Sequence, residues 1–281
     1  MIRLAVLGSP VAHSLSPALH NAGYRASGLA DWDYTAIECD AERLPGLVAA
    51  SPECWRGFSV TMPGKAAAAE FAADRSSRVR TLGVANTLWR NADGGWSAEN
   101  TDVDGITGAL RAAGVPAPLG GVLVLGGGHT ARAVVAAVAE YGCGELVLAG
   151  RRPQSTAGCA DLARELGLAV RTIPLEGAVL AAEAMTAGLL VSTVPAGVAD
   201  PFAPMLSAVP VLLDVVYHPW PTPLAAAGGP DRVTVTGLDM LLHQAFRQFE
   251  IFTGRPAPRA AMREGLLAAS GAVLPLPTGG E

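Results

Sequence analysis

Residues 122–142 read VLVLGGGHTARAVVAAVAEYG. Four apolar residues fit a short buried strand, three glycines follow, and alanines and valines then recur at helical spacing. A strand that turns on glycine directly into a helix builds a βα unit, and such units imply a mostly parallel sheet. The same glycines fit the pattern G-x-G-x-x-G/A, with Gly126, Gly128 and Ala131 at the marked positions. Glycine there permits a tight turn and a close backbone approach to a pyrophosphate, and the amides at the helix start receive the anion. The candidate cofactor residues are therefore Gly126, Gly127, Gly128, His129, Thr130 and Ala131; the alternative is a tight βα turn that holds nothing. The next apolar run, ELVLAG, decides which dinucleotide suits the turn. A site for NAD ends this strand on Asp or Glu, which holds the ribose hydroxyls. Here it runs into Gly150, Arg151 and Arg152. Two guanidiniums suit a 2′-phosphate, so the cofactor expected is NADP.

The alternation extends both ways. Before the glycine turn, RLAVLG, WDYTAIEC and GFSV read as strands, with helices between them. SPALHNAGYRASG opens a helix with Ser16 as N-cap and Pro17 at the first helical position. GVANTLWR and GWSAEN read as a hairpin about the turn NADGG. After the Pro-rich connector VPAPLGG, five or so short apolar strands alternate with helices. In GLDMLLHQAFRQFEIFTG the residues Leu238, Leu241, Leu242, Ala245, Phe249 and Phe252 lie at helical intervals, and PAPRAAMREGLLAAS reads as one last helix. The expected class is α/β with two domains. Residues 1–101 form a substrate-binding and catalytic domain with a mostly parallel sheet, completed by helices in 238–271. Residues 102–237 form a Rossmann-type domain, and 272–281 is a mobile tail.

Composition narrows the function. The formal charge is −5 with no basic run, which argues against nucleic acid as a partner. No apolar run approaches the ~18 residues that span a bilayer, and Met1 opens onto a strand-like segment with no signal-peptide pattern. The chain is expected in the cytoplasm, with small molecules as partners and no membrane. Cys39, Cys54, Cys143 and Cys159 show no metal-site spacing and read as small apolar residues of a reduced compartment; no metal is expected.

One residue stands apart. The chain has nineteen arginines and a single lysine, Lys65, at the end of GFSVTMPGK. It follows a short strand near a helix start, where open α/β sheets place ligands. Asp102, in ENTD, lies at another strand-to-helix junction. An amine can take and return a proton, whereas a guanidinium effectively cannot. Proton transfer therefore explains why one amine is kept; codon chance is the alternative.

GSPVAHSLSPALHN, GFSVTMPGK, GVANTL, ENTDVDG, DVVYHPWPTPL and GLDMLLHQAFRQFEIFTG occur in an order and spacing that resembles the shikimate dehydrogenase family, from about Leu4 to Gly254. The resemblance implies NADP-dependent reduction of 3-dehydroshikimate to shikimate, a step of aromatic amino-acid biosynthesis. It implies two α/β domains with substrate in the cleft between them and C-terminal helices that return to the first. By position, Ser14 and Ser16 match serines that hold the substrate carboxylate. Thr61, Lys65, Asn86 and Asp102 match residues around the ring hydroxyls, and Tyr217 and Gln244 match two further substrate contacts. Lys65 and Asp102 are the implied catalytic pair. Val215 and Gly237 match positions beside the nicotinamide, Met240 is a further cofactor-binding position, Arg151 is the phosphate clamp and Arg152 lies next to it. His13, His20, His218 and His243 are given packing or surface roles.

The chain departs from the family pattern in places. Ser59 stands where many members have asparagine. GGGHTA replaces the commoner GAGGAA, which puts His129 at a glycine position. AGRR replaces NRT, and Phe252 replaces a tryptophan. A quinate or quinate/shikimate dehydrogenase is the nearest rival reading; a non-catalytic NADP-binding regulator is the rival of another class. The family pattern is compatible with a monomer or a homodimer.

Overall fold

In a computed structural model describing residues 1–271 and 274–279, the apolar runs become the strands of two six-stranded sheets. The chain forms two compact units. The first comprises Met1–Gly105 and Leu241–Thr278, and the second is built on Ile106–Met240.

The first unit contains β1 (Ile2–Gly8), α1 (Ser16–Ala26), β2 (Trp32–Glu38), α2 (Leu44–Ala49), β3 (Trp55–Val60), α3 (Lys65–Phe71), β4 (Asp74–Arg75), α4 (Ser77–Leu82), β5 (Thr87–Arg90) and β6 (Trp96–Glu99). Helix α5 (Asp102–Ala112) begins in this unit and ends in the second. The strand order is β2-β1-β3-β5-β6-β4. β1 pairs in parallel with β2 and β3, whereas β5 runs antiparallel to β3 and forms the expected hairpin with β6. Leu4, Ala5 and Leu7 of β1 are fully buried, as a central strand covered on both faces requires. Ala5 and Leu7 join Phe58, Val60, Leu88 and Ala98 in one core.

The second unit holds β7 (Gly121–Leu125), α6 (His129–Glu140), β8 (Glu145–Gly150), α7 (Gln154–Glu165), β9 (Ala169–Pro174), α8 (Gly177–Ala184), β10 (Ala187–Ser192), β11 (Val211–Asp214), α9 (Pro223–Ala226) and β12 (Val233–Thr236). Its sheet is wholly parallel in the order β12-β11-β10-β7-β8-β9. That is six strands against the five or so expected. The strand that the apolar pattern does not reveal is β12, a four-residue edge strand, VTVT, in which threonines alternate with valines. The order reverses between β7 and β10, the point at which doubly wound sheets open a crevice beyond their carboxyl ends. Leu123, Leu125, Leu190 and Leu212 fill the core on this sheet.

Helix α10 (Gly237–Thr253) begins in the second unit and continues into the first, where α11 (Arg259–Ser270) follows. Small residues let α11 meet α1: a Cβ built on Gly265 would lie 2.5 Å from the Cβ of Ala22. Residues 274–279 lie over these last helices, with Leu276 fully buried and the backbone carbonyl of Pro277 2.9 Å from His243 Nε2. No helix is long and apolar enough to cross a membrane among the described residues.

Candidate active site

Lys65 is the first residue of α3 and Asp102 the first of α5. Thirty-seven positions apart in sequence, their side chains meet: Lys65 Nζ donates to Asp102 Oδ2 at 2.5 Å. Both residues are buried, at 9% and 5% exposure, so the ammonium has little water to replace its partner. A helix start suits the carboxylate, because the first-turn amides present positive partial charge to it. The second oxygen, Oδ1, accepts from Asn86 Nδ2 at 2.9 Å. Asn100 Oδ1 accepts from the Asp102 backbone N–H, which closes the turn ahead of α5.

Asn86 is held in turn. Its Oδ1 accepts from the Thr101 N–H at 2.8 Å, so its amide hydrogens must face Asp102. Gln244 Oε1, on α10, lies 3.3 Å from both Asn86 Nδ2 and the Thr101 hydroxyl. Lys65, Asn86, Asp102 and Gln244, predicted from separate motifs, thus form one hydrogen-bonded cluster. Thr101 joins it and was missed, although it sits inside the ENTD motif and needed only a partner to be noticed.

Ser14 and Ser16 lie at the start of α1. The expectation that Ser16 caps this helix is corrected. Leu15 occupies the N-cap position, and Ser16 already lies within the helix, ahead of Pro17. The Ser14 hydroxyl oxygen instead accepts from the Ser16 N–H at 3.3 Å. The turn favours this because a hydroxyl two residues back reaches an amide that no helical carbonyl can serve. Thr61 follows β3, half-buried, with its backbone N–H bonded to Leu7 O at 2.8 Å.

The second group of candidates lies on the other unit. Gly126 ends β7 at the switch point with φ +106°, a conformation that favours glycine, and a Cβ there would stand 2.5 Å from Thr193 Oγ1. A Cβ on Gly127 would fall 1.9 Å from the backbone oxygen of Ser155. Gly128 differs: its φ is ordinary at −82°, and among the described residues nothing lies within 4 Å of a Cβ built on it. Its absent side chain serves no contact among the described residues. Gly128 is the N-cap of the twelve-residue α6, and no side chain caps that helix. An open approach to an uncapped helix start fits a pyrophosphate. His129, Thr130 and Ala131 form the first turn of α6. Arg151 and Arg152 follow β8 directly, both exposed and neither in an ion pair among the described residues.

Val215, Tyr217, Gly237 and Met240 lie around the ends of β11 and β12. Asp214 organises this loop: its carboxylate accepts from the Val216 N–H and from the Thr222 hydroxyl, and burial raises its pKa. Gly237 is required by packing, since a Cβ would lie 2.1 Å from Val215 O. Tyr217 is half-buried, and burial raises its phenol pKa. Met240 is 8% exposed. Of the four cysteines, Cys39, Cys143 and Cys159 are buried and Cys54 half-buried, all with free thiols. His13 and His218 are exposed.

The family model described as the shikimate dehydrogenase substrate binding domain matches residues 6–88, and that of the shikimate 5′-dehydrogenase C-terminal domain matches residues 237–267. The chain is similar to a curated shikimate dehydrogenase (NADP(+)) from Thermus thermophilus, 36% identical over 277 residues, 96% of this chain and 100% of that one. It is similar to the crystal structure of a shikimate dehydrogenase from Mycobacterium tuberculosis, with TM-score 0.88 and 47% identity over 95% of this chain and 100% of the other. A Thermus thermophilus shikimate 5-dehydrogenase solved in complex with NADP(H) and shikimate gives TM-score 0.83 and 34% identity, over 96% and 100% of the two chains. With likeness of this degree along nearly the full length of both partners in each comparison, the chain belongs to the shikimate dehydrogenase family.

Proposed function

We propose that the chain reversibly reduces 3-dehydroshikimate to shikimate with NADPH, using Lys65 as acid and base and Asp102 as its partner. Membership of the family makes it an oxidoreductase with NADP as cofactor. NADPH, held by Gly126–Ala131 and clamped at its 2′-phosphate by Arg151 with Arg152 beside it, supplies the hydride. Reduction of the ketone leaves its oxygen in need of one proton. Lys65, as ammonium, donates that proton; in the reverse direction the free amine takes it from the alcohol. Asp102 orients the amine and balances its charge, and Asn86 keeps the carboxylate in place. Ser14 and Ser16 receive the substrate carboxylate at the start of α1, where hydroxyls and helix amides together suit an anion. Thr61, Tyr217 and Gln244 complete the substrate contacts, Val215 and Gly237 line the nicotinamide, and Met240 is a further cofactor-binding position. The protein works in the cytoplasm as a monomer or homodimer.

The single observation that carries these roles is the chain's only lysine, buried and 2.5 Å from a carboxylate that a second side chain also holds. A positioned acid–base group contributes about 10²–10⁴-fold in rate. Absorbance at the NADPH band, with shikimate and quinate each paired with NADP and NAD, tests the reading. The pair shikimate and NADP is expected to be turned over best, and Lys65→Arg to lose about 10²–10⁴-fold in turnover while shikimate affinity is nearly kept. A Lys65→Arg enzyme with unimpaired turnover overturns the role of the amine, and absence of any turnover identifies a non-catalytic binder.

A further inference from the structure

Beneath the Lys65–Asp102 pair, a row of buried polar side chains runs through the interior of the first unit. Tyr34 donates its hydroxyl to Ser59 Oγ at 2.6 Å, and Ser59 donates to Gln248 Oε1 at 2.8 Å. Gln248 Nε2 reaches the Asn86 carbonyl at 3.2 Å and Thr87 Oγ1 at 3.0 Å. The Thr87 hydroxyl donates to Asn86 Oδ1 at 2.9 Å, and Asn86 Nδ2 donates to Asp102 Oδ1. Tyr34, Ser59, Gln248, Thr87 and Asn86 are all buried, none above 4% exposure.

The direction of each bond follows from chemistry. The backbone carbonyl of Asn86 only accepts, so the –NH₂ of Gln248 must face it and its oxygen must face the other way. Ser59 then has to donate to that oxygen, which leaves Tyr34 to donate to Ser59. His20 Nε2, 3.3 Å from the same oxygen, carries the ring proton, and its ring stacks on Tyr34 with centroids 4.3 Å apart. Burial lowers the His20 pKa to about 3, so the ring is neutral, and its Nδ1 has no hydrogen-bond partner among the described residues. Thr87, already accepting from Gln248, turns its own proton to Asn86. Every donor therefore points along the row toward the Asp102 carboxylate, and each bond polarises the next.

We propose that Thr87, Gln248, Ser59 and Tyr34 are positioning residues of the reaction: a one-way hydrogen-bond chain that locks the Asn86 amide and, through it, the Asp102 carboxylate that orients Lys65. The inference rests on the acid–base reading of Lys65 and extends it to residues that touch neither substrate nor cofactor. A row of buried polar groups is otherwise a poor way to fill a core, since each member left unpaired carries a desolvation cost. Here the row ends on the one carboxylate that the reaction uses. Small displacements of a catalytic group lower the rate steeply, so breaking the chain beside Asn86 should act on turnover rather than on binding.

The test compares Thr87→Val with Thr87→Ser in the full chain. Valine keeps the shape and removes the donor to Asn86, whereas serine restores it. Thr87→Val is expected to lower kcat about tenfold with KM for shikimate within about twofold, and Thr87→Ser to recover kcat to within about threefold of the parent. If Thr87→Val is recovered insoluble, Gln248→Met is measured by the same kcat-against-KM split. A folded Thr87→Val enzyme with parental kcat overturns the proposal. So does a loss that serine does not rescue, or one in which kcat and KM change together with the melting temperature, because a merely structural role predicts that pattern. Lys65→Arg in the same series separates the two claims. Retained turnover there strikes the acid–base reading, and parental Thr87→Val beside an inactive Lys65→Arg strikes the positioning chain alone.

Discussion

Gly127 and Gly128 are adjacent in sequence and stand in opposite situations, and alanine at each should distinguish a tight turn from a ligand site. At Gly127 the added carbon would lie 1.9 Å from Ser155 O and 2.8 Å from Ser155 C, both backbone atoms that no rotamer change can move. Overpacking of this kind costs about 3 kcal/mol or more, which for a chain of this size lowers Tm by roughly 6–12 °C. At Gly128 the added carbon would meet nothing within 4 Å among the described residues, and the backbone is already in a conformation that alanine adopts. Gly128→Ala should change stability by no more than about 0.5–1 kcal/mol, in the stabilising direction through the unfolded chain. If a pyrophosphate approaches that backbone at the start of α6, the same methyl group occupies the space it needs. NADPH affinity should then fall at least tenfold, about 1.4 kcal/mol. Thermal melts and titration by NADPH fluorescence read the two effects independently. A Gly128→Ala protein that melts and binds NADPH like the parent would refute the reasoning, because the glycine would then be needed by neither fold nor cofactor.

Other outcomes follow from the same geometry. Arg151→Ala should raise KM for NADP at least tenfold and change that for NAD little, measured by initial rates; equal effects on both dinucleotides would remove the 2′-phosphate assignment. His20 gives a pH dependence of stability. Its folded pKa, about 3, lies below the unfolded value near 6.5, so the unfolded chain binds the extra proton between those values. The stability that neutral burial contributes is complete above about pH 6.5 and is lost as pH falls toward 3, at up to ~1.4 kcal/mol per pH unit. Denaturant unfolding between pH 5 and 6.5 should show that slope, and His20→Gln should flatten it.

The Rossmann-type fold of the second unit was readable in the sequence because most of its strands are short apolar runs and its first turn carries three glycines. β12 was not, since a four-residue edge strand, VTVT, is too short and too interrupted by threonine to leave an apolar signature. The hairpin of β5 and β6 announced itself through NADGG, a turn chemistry that acts locally. The placing of Ser16 failed because a capping hydroxyl was present two residues earlier, and which of two serines serves the amide depends on the path of the loop. The chain passes from one unit to the other within α5 and α10, whereas the Pro-rich VPAPLGG lies inside the second unit. Composition marks where a chain bends, not where two cores part.

What the sequence determined alone was local: a strand, a glycine turn, a helix start, and one amine in a chain of guanidiniums. Those depend on neighbours within a few residues, so the order of letters carries them. Tertiary structure alone decided that Lys65 meets Asp102, that Gln248 reaches Asn86 from 162 positions away, and that of two adjacent glycines only Gly127 is demanded by packing. A hydrogen bond has reach of about 3 Å, and separation along the chain says nothing about that distance until the sheets and helices have closed around it.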